Sequence, residues 1–356
     1  MSDKWIPLVS RQESPLWVSL VCLGGREKWF RKSISWDYSI NKYKYEEFSH
    51  CMSTEDGVEL QKVIEEKIDD SLSYRRYLDR CESASRNLEQ TAASVSTSFS
   101  RIDDPSNDRI RSLLEKFFDS VLQAMPFMAS LVLVQDRLET DLRNKISATI
   151  NEEPNSAEVD KVMEKCLVPA KSNSVVEESR NIQKLASQLR RREVSAEKLG
   201  NSVEEAISHA SEKWPSFEDE LNKHIEEYGW IKTFTYLNEP YTKREILKRI
   251  IAALKSIESS EKYESIKARS NRKLRISDNT IDELFEDSDD ASLFRLAREY
   301  LYWRFERVDV HFRSEAYIRN LEKAVSKRAG VSRAQLVHCT YPEIMDWLDD
   351  VSALPT

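Results

Sequence analysis

The chain has 356 residues, with 54 lysines and arginines against 62 aspartates and glutamates, for a formal net charge of −8. It holds only six glycines, where an average soluble protein of this length holds about 25. Phosphate-cradling loops and dinucleotide-binding turns need clustered glycines so that backbone N–H groups can approach the anion, which excludes both, and a sheet-rich fold that turns on glycine goes with them.

In chain order, residues 1–56 carry four of the eight tryptophans, Trp5, Trp17, Trp29 and Trp36, among β-branched residues. The run Trp17-Val18-Ser19-Leu20-Val21-Cys22, bounded by Pro15 and a Gly24-Gly25 turn, predicts a strand. Beyond Asp56 the apolar period lengthens to 3.6 and predicts helices over 58–93 and 107–150. The second has a stripe of Ile110, Leu114, Phe117, Val121 and Met125, and Pro126 should bend or split it. More polar helices follow at 157–167, 174–192 and 195–213.

From Trp214 onward three capping boxes mark helix starts, at Thr242 with Glu245, Ser332 with Gln335, and Thr340 with Glu343. Between them 289–328 reads as a helix with an apolar stripe of Leu293, Ala297, Leu301, Phe305, Val308, Phe312 and Ala316. Its polar face would hold Arg295, Glu299, Glu306, Asp309 and Arg313, and Gly330 would end it in the left-handed region. The basic stretch 262–275 reads as a solvated connection between helices, with an anion-binding or docking loop as the other reading. These elements make a mainly α protein, a multi-helix array with a small strand-containing N-terminal cap, divided as a cap over 1–56, long helices and hairpins over 57–213, and a C-terminal helical module over 214–356.

The mild acidity argues against a nucleic-acid surface. The longest apolar stretch, 125–134, is interrupted by Ser130 and is too short for a bilayer span of about 20 residues, so no membrane helix is expected. The N-terminus lacks the basic and apolar regions of a secretory signal. The five cysteines, Cys22, Cys51, Cys81, Cys166 and Cys339, contain no C-x-x-C pair. A cytoplasmic chain with reduced, mostly buried thiols is the expectation.

The histidines, His50, His209, His224, His311 and His338, include no metal-spaced pair such as H-E-x-x-H. His224 with Glu227 is one Glu/His pair at helical spacing, and a carboxylate-bridged metal site needs two such helices, so no metal site is expected. No G-x-S-x-G elbow is present, which disfavours acyl chemistry.

Two linked motifs stand out. The first runs from Trp214-Pro215-Ser216-Phe217 through Leu221, His224 and Tyr228-Gly229-Trp230 to Glu239-Pro240-Tyr241-Thr242. The second runs from Arg295 through Arg298, Tyr300-Leu301, Arg304 and Arg307 to Tyr317, Ala329-Gly330-Val331-Ser332 and Thr340-Tyr341-Pro342-Glu343-Ile344. In this order they resemble the helical middle region of phosphoenolpyruvate-utilising enzymes, the group of phosphoenolpyruvate synthase-like proteins and rifampin phosphotransferase. The resemblance covers 214–349, with a weaker likeness at Trp5, Arg11 and Pro15.

In that family an ATP-grasp part takes phosphoryl groups from ATP, a swivelling domain carries them on a histidine, and the helical part lies between and can hold the acceptor. This chain resembles the middle part alone. The family's histidine sits in Gly-Gly-x-x-Ser-His-x-Ala, whereas here His209 stands in Glu204-Glu205-Ala206-Ile207-Ser208-His209-Ala210 and Ser49-His50 is flanked by Phe48 and Met52.

The resemblance therefore implies a non-catalytic acceptor-binding or linking subunit that works with separate ATP-grasp and phosphohistidine-domain proteins. ATP and magnesium would sit on a partner, no catalytic residue, cofactor or metal on this chain, and a small-molecule acceptor would be held near His224, Tyr228, Trp230, Arg304 and Arg307. The alternatives are a helical scaffold or regulatory interaction protein outside phosphoryl transfer, and a self-contained enzyme.

Overall fold

The computed structural model describes residues 4–10, 14–46, 49–150, 155–199, 202–234, 238–256, 259–285 and 289–349. Arg11 lies outside them, as do the side chains of 259–264, 266 and 267. Near the N-terminus, β1 (Trp5–Ser10), β2 (Tyr43–Glu46) and β3 (Ser49–Ser53) form an antiparallel sheet in the order β1-β3-β2. Its register pairs Trp5 with Ser53 and Tyr45 with His50, and a bulge falls between Pro7 and Val9. Among the described residues every other regular element is helical, so the chain is mainly α with a small strand-containing cap.

The run Trp17 to Cys22 belongs to a helix, α1 (Pro15–Gly24), rather than to the strand expected from its aromatic and β-branched residues between Pro15 and Gly24-Gly25. Proline at the first helical position presets φ, and Leu16, Trp17 and Leu20 then fall on one buried face. Gly24 is the last helical residue rather than a turn. A Cβ there would sit 2.2 Å from the Met125 Cβ, so glycine is what permits the close approach.

After α2 (Glu27–Ser33), the segment expected as one helix over 58–93 is two, α3 (Thr54–Lys67) and α4 (Ser71–Ser100). Asp70 breaks the run by capping α4: it accepts the Ser73 N–H at 2.6 Å, and the Ser73 hydroxyl in turn accepts the Asp70 N–H at 3.1 Å.

The helix α5 (Asn107–Ile150) is continuous through Pro126 over 44 residues. An interior proline costs about 3 kcal/mol through its missing N–H and its ring clash. Ile110, Leu114, Phe117 and Val121 are each at most 2% exposed, and at about 1.5–3 kcal/mol per buried side chain they outweigh that cost. One stretch of α5 is long and apolar enough to cross a membrane by length and composition, yet 67% of that stretch is buried inside the protein, as in a core helix.

The remaining helices are α6 (Ser156–Cys166), α7 (Ser174–Arg191), α8 (Val203–Lys213), α9 (Phe217–Tyr228), α10 (Lys243–Lys255), α11 (Ser259–Phe285), α12 (Asp289–Ala329), α13 (Arg333–Leu336) and α14 (Tyr341–Asp349). The expected helix over 195–213 is a 3-10 turn at Glu197–Leu199 followed by α8, which Ser202 caps by accepting the Glu205 N–H at 3.0 Å. The basic stretch 262–275 lies within α11 rather than in a connection. Gly330 follows α12 at φ 71°, the left-handed conformation its lack of a Cβ allows.

The chain forms two compact units. One comprises Met1–Asn144, Thr235–Leu237 and Trp303–Thr356, and the other Lys145–Phe234 and Asn238–Tyr302. In the first, α5 packs its apolar stripe against Trp17 and Leu20 of α1, Leu88 and Val95 of α4, and Leu321 of α12. The Tyr341 N–H donates to the Ser19 hydroxyl at 2.9 Å, tying the start of α14 to α1. In the second, Ile182 and Leu189 of α7, Phe217 and Leu221 of α9, and Ile246 and Ile250 of α10 share one apolar core.

Candidate functional site

Phe217, Leu221 and His224 follow one another at helical spacing on the buried face of α9, so His224 occupies a core position and is 1% exposed. On α7 Glu178 stands one turn before Ile182 on the buried face, also 1% exposed. The Nδ1–H of His224 donates to the Asn181 Oδ1 at 2.9 Å, and Nε2 lies 3.4 Å from the Glu178 Oε1.

Arg249 of α10 closes the cluster, its two terminal nitrogens each 2.6 Å from one oxygen of Glu178. The contact to Oε2 is a charge-assisted hydrogen bond, and the one to Oε1 is an ion-pair contact without hydrogen-bond geometry. The Arg249 guanidinium also lies 5.2 Å from the centre of the Tyr241 ring. The buried Glu178 carboxylate of α7 thus meets side chains of α9 and α10, and is hydrogen-bonded to the second.

Tyr228 packs its ring 5.2 Å from that of His224. Burial, and then the neighbouring Glu227, Glu177 and Glu178 carboxylates, push its phenol above the usual range. Trp230 stands in the 3-10 turn Gly229–Phe234, 3% exposed, and its indole N–H donates to the Glu227 carbonyl at 2.8 Å. His224 and Tyr228 therefore come together, whereas Trp230 is tied to the backbone at the end of α9; His224 and Trp230 are shielded from solvent.

Arg304 and Arg307 lie in the other unit, on α12. Arg304 is exposed, whereas Arg307 is 8% exposed and donates to the Arg304 carbonyl. The apolar stripe expected along α12 is buried at Leu293, Ala297 and Phe312 and half-buried at Leu301, Val308 and Ala316, but it is only part of the buried face. Phe305 is 52% exposed, while Asp309, His311, Glu315, Arg319 and Glu322 are all buried.

The buried charges are matched. Arg333, delivered by the capped start of α13, donates its Nε–H to the Glu322 Oε2 at 2.7 Å and a terminal N–H to the Glu315 Oε1 at 3.0 Å. Arg319 stands 3.8 Å from the same Glu315 oxygen. Arg313 bridges Glu89 of α4 at 2.6 Å and Glu306 at 2.8 Å. Two carboxylates facing two guanidiniums leave no net formal charge in the Glu315–Glu322 cluster, and the Arg333 hydrogen bonds offset part of its desolvation. Further along, the Trp17 ring lies 4.3 Å from that of His311.

Glu178, Arg249, Glu315, Arg319, Glu322 and Arg333 were all missed by periodicity. The available signal was a charged residue in the apolar register, such as Glu178 four residues before Ile182, and it carries no partner information. The cysteines are all free, and burial raises the Cys22 and Cys166 thiols to about 11 and Cys81 to about 12, so they stay protonated near neutral pH. No family model and no curated protein matches the chain.

Proposed function

We propose that the chain is a non-catalytic helical subunit, cytoplasmic, that holds an acceptor or links partners in a phosphoenolpyruvate-utilising phosphotransferase-type system. ATP and magnesium would be bound by separate ATP-grasp and phosphohistidine-domain proteins. The observation that carries this reading is the internal use of the buried ionisable groups. Glu178, His224 and Arg249 engage one another in one unit, and Glu315, Arg319, Glu322 and Arg333 do so in the other. Charges so matched stiffen a helical frame, and a stiff frame suits positioning. The ordered motifs of 214–349 supply the phosphoenolpyruvate connection.

The test is reconstitution. The full chain is mixed with an ATP-grasp protein and a phosphohistidine-domain protein encoded beside it, and labelled phosphoenolpyruvate is added. A stable complex with acid-labile label on the histidine protein and none on this chain is the expected result. Acid-labile label on His209 of the isolated chain overturns the reading.

A second reading, a scaffold or regulatory interaction protein, is favoured by one observation. Arg269, Arg272, Lys273 and Arg275 are exposed or half-exposed on α11 beside Ile276, which is itself 44% exposed. A basic helical face with an apolar residue in it suits an acidic protein partner. Capture of such a partner by the wild type, lost in R272E/K273E, supports it over the first reading.

A further inference from the structure

A cleft of about 210 Å³ opens where the residues after α2, the end of α3 and the first turns of α4 meet, within one unit of the protein. Lys67, Arg76 and Arg80 line it, together with Ser35 and Ser73, and no acidic side chain does. All three cations are exposed, and among the described residues none of them is in an ion pair. Asp70, whose carboxylate feels the Arg76 charge, is committed to capping α4, and the Ser73 N–H and hydroxyl hold that carboxyl below the usual range.

The wall is built rather than incidental. Ser35 is held at φ 66°, in the left-handed region that a residue with a Cβ seldom occupies. Arg80 fixes it there, donating to the Ile34 carbonyl and, at 3.0 Å, to the Ser35 hydroxyl. Trp36, next in the chain, stacks on Tyr77 with ring centres 5.5 Å apart and planes at 26°. Behind them the Tyr77 hydroxyl bonds that of Ser130 at 2.7 Å.

Three like charges converging on one concavity repel each other, and a bound anion relieves that repulsion. Three cations suit a dianion better than a monoanion. The volume falls below the roughly 300–1,000 Å³ of sites for drug-sized ligands, which selects a small species over a nucleotide.

We propose that this cleft binds a small phosphate-bearing dianion. Lys67, Arg76 and the Arg80 nitrogens not engaged with Ile34 and Ser35 would take its oxygens, and the rest of the molecule would lie against Trp36 and Ile68. The site is independent of the phosphotransferase reading, which draws on other residues.

Inorganic phosphate titrated calorimetrically into the full chain tests it, against chloride at equal ionic strength. The expected result is saturable one-to-one binding that chloride does not reproduce and that K67Q/R76Q weakens by about tenfold or more. Both positions are exposed, so the variant's melting temperature should match the wild type. K67Q and R76Q singly provide a second measurement, each with a smaller loss. No saturable heat up to millimolar phosphate, or undiminished binding by the variants, overturns the proposal. So does binding to phosphatidylcholine vesicles containing phosphatidic acid without binding to free phosphate, because the cations would then be serving a lipid surface.

Discussion

The helices α5 and α12 are of similar length, 44 and 41 residues, and both bury apolar side chains, but on α12 charged residues join them. Along α5 burial and hydrophobicity coincide, and Ile110, Leu114, Phe117, Val121 and Met125, which read as one stripe from the sequence, are all buried. Along α12 the buried set includes Arg307, Asp309, His311, Glu315, Arg319 and Glu322, and Phe305 faces out. Periodicity therefore locates apolar burial, not burial as such. Charged residues on a buried face look to a pattern search like solvated ones.

The largest expected effect comes from the apolar side of this contrast. Phe117 is fully buried and edge-on to Trp17, with ring centres 6.4 Å apart. Phe117→Ala should cost about 3–5 kcal/mol in urea unfolding, from lost transfer energy plus the cavity left behind. A loss below about 1 kcal/mol would mean that the α5 stripe is not a packed core.

The polar side should respond through pairing. Arg333→Met leaves Glu322 without its 2.7 Å partner in a buried setting, and should cost about 3 kcal/mol. Adding Glu322→Leu removes the orphaned charge and leaves Glu315 opposite Arg319, so the double variant should regain much of the loss. A double-mutant cycle reads the coupling directly. Additive losses would show that α12 is held by packing and that its charges are passengers.

Much of the architecture was legible where local chemistry is self-contained. Thr242 with Glu245 and Ser332 with Gln335 form reciprocal capping boxes as read, and Glu343 accepts the Thr340 N–H at 2.6 Å. The bounds of the helix 107–150 were legible to the residue, though not its continuity through Pro126. What escaped depends on distant partners. The strand reading of Trp17 to Cys22 failed because a short apolar run has no period of its own, and the Gly24 contact with Met125 that favours a helix is remote in sequence. Of the site, His224 and Tyr228 were singled out, but Glu178 and Arg249, which determine what His224 can do, are joined to it only by the folding of α7 and α10 onto α9. Arg76 and Arg80 were passed over because only the break at Asp70, and the start it gives α4, sets them beside Lys67.

Pro126 allows a smaller test on α5 itself. Pro126→Ala restores a backbone N–H to the middle of the helix, and stability should rise by about 1–3 kcal/mol if the helix there is otherwise regular. No gain, or a loss, would indicate that the surrounding core is shaped around the ring.

The smallest effect concerns a cap that both sequence and structure identify. The Lys232 ammonium, 2.5 Å away, and the Thr242 N–H pull the Glu245 carboxyl down from 4.5 to about 2. A carboxyl whose folded value is depressed stabilises the fold fully above its unfolded value, and that contribution fades as pH falls from about 4.5 toward about 2. Because Glu245 is about one-third exposed, screening limits the contribution to less than about 1 kcal/mol. Glu245→Gln should therefore be slightly less stable than the wild type at neutral pH, and the two denaturation midpoints should converge on acidification through that window. A difference that persists at the acid end would assign the loss to the geometry of the introduced amide rather than to charge. The start of α10 would then be held by shape, as the α5 core is, and not by ion pairing of the kind found along α12.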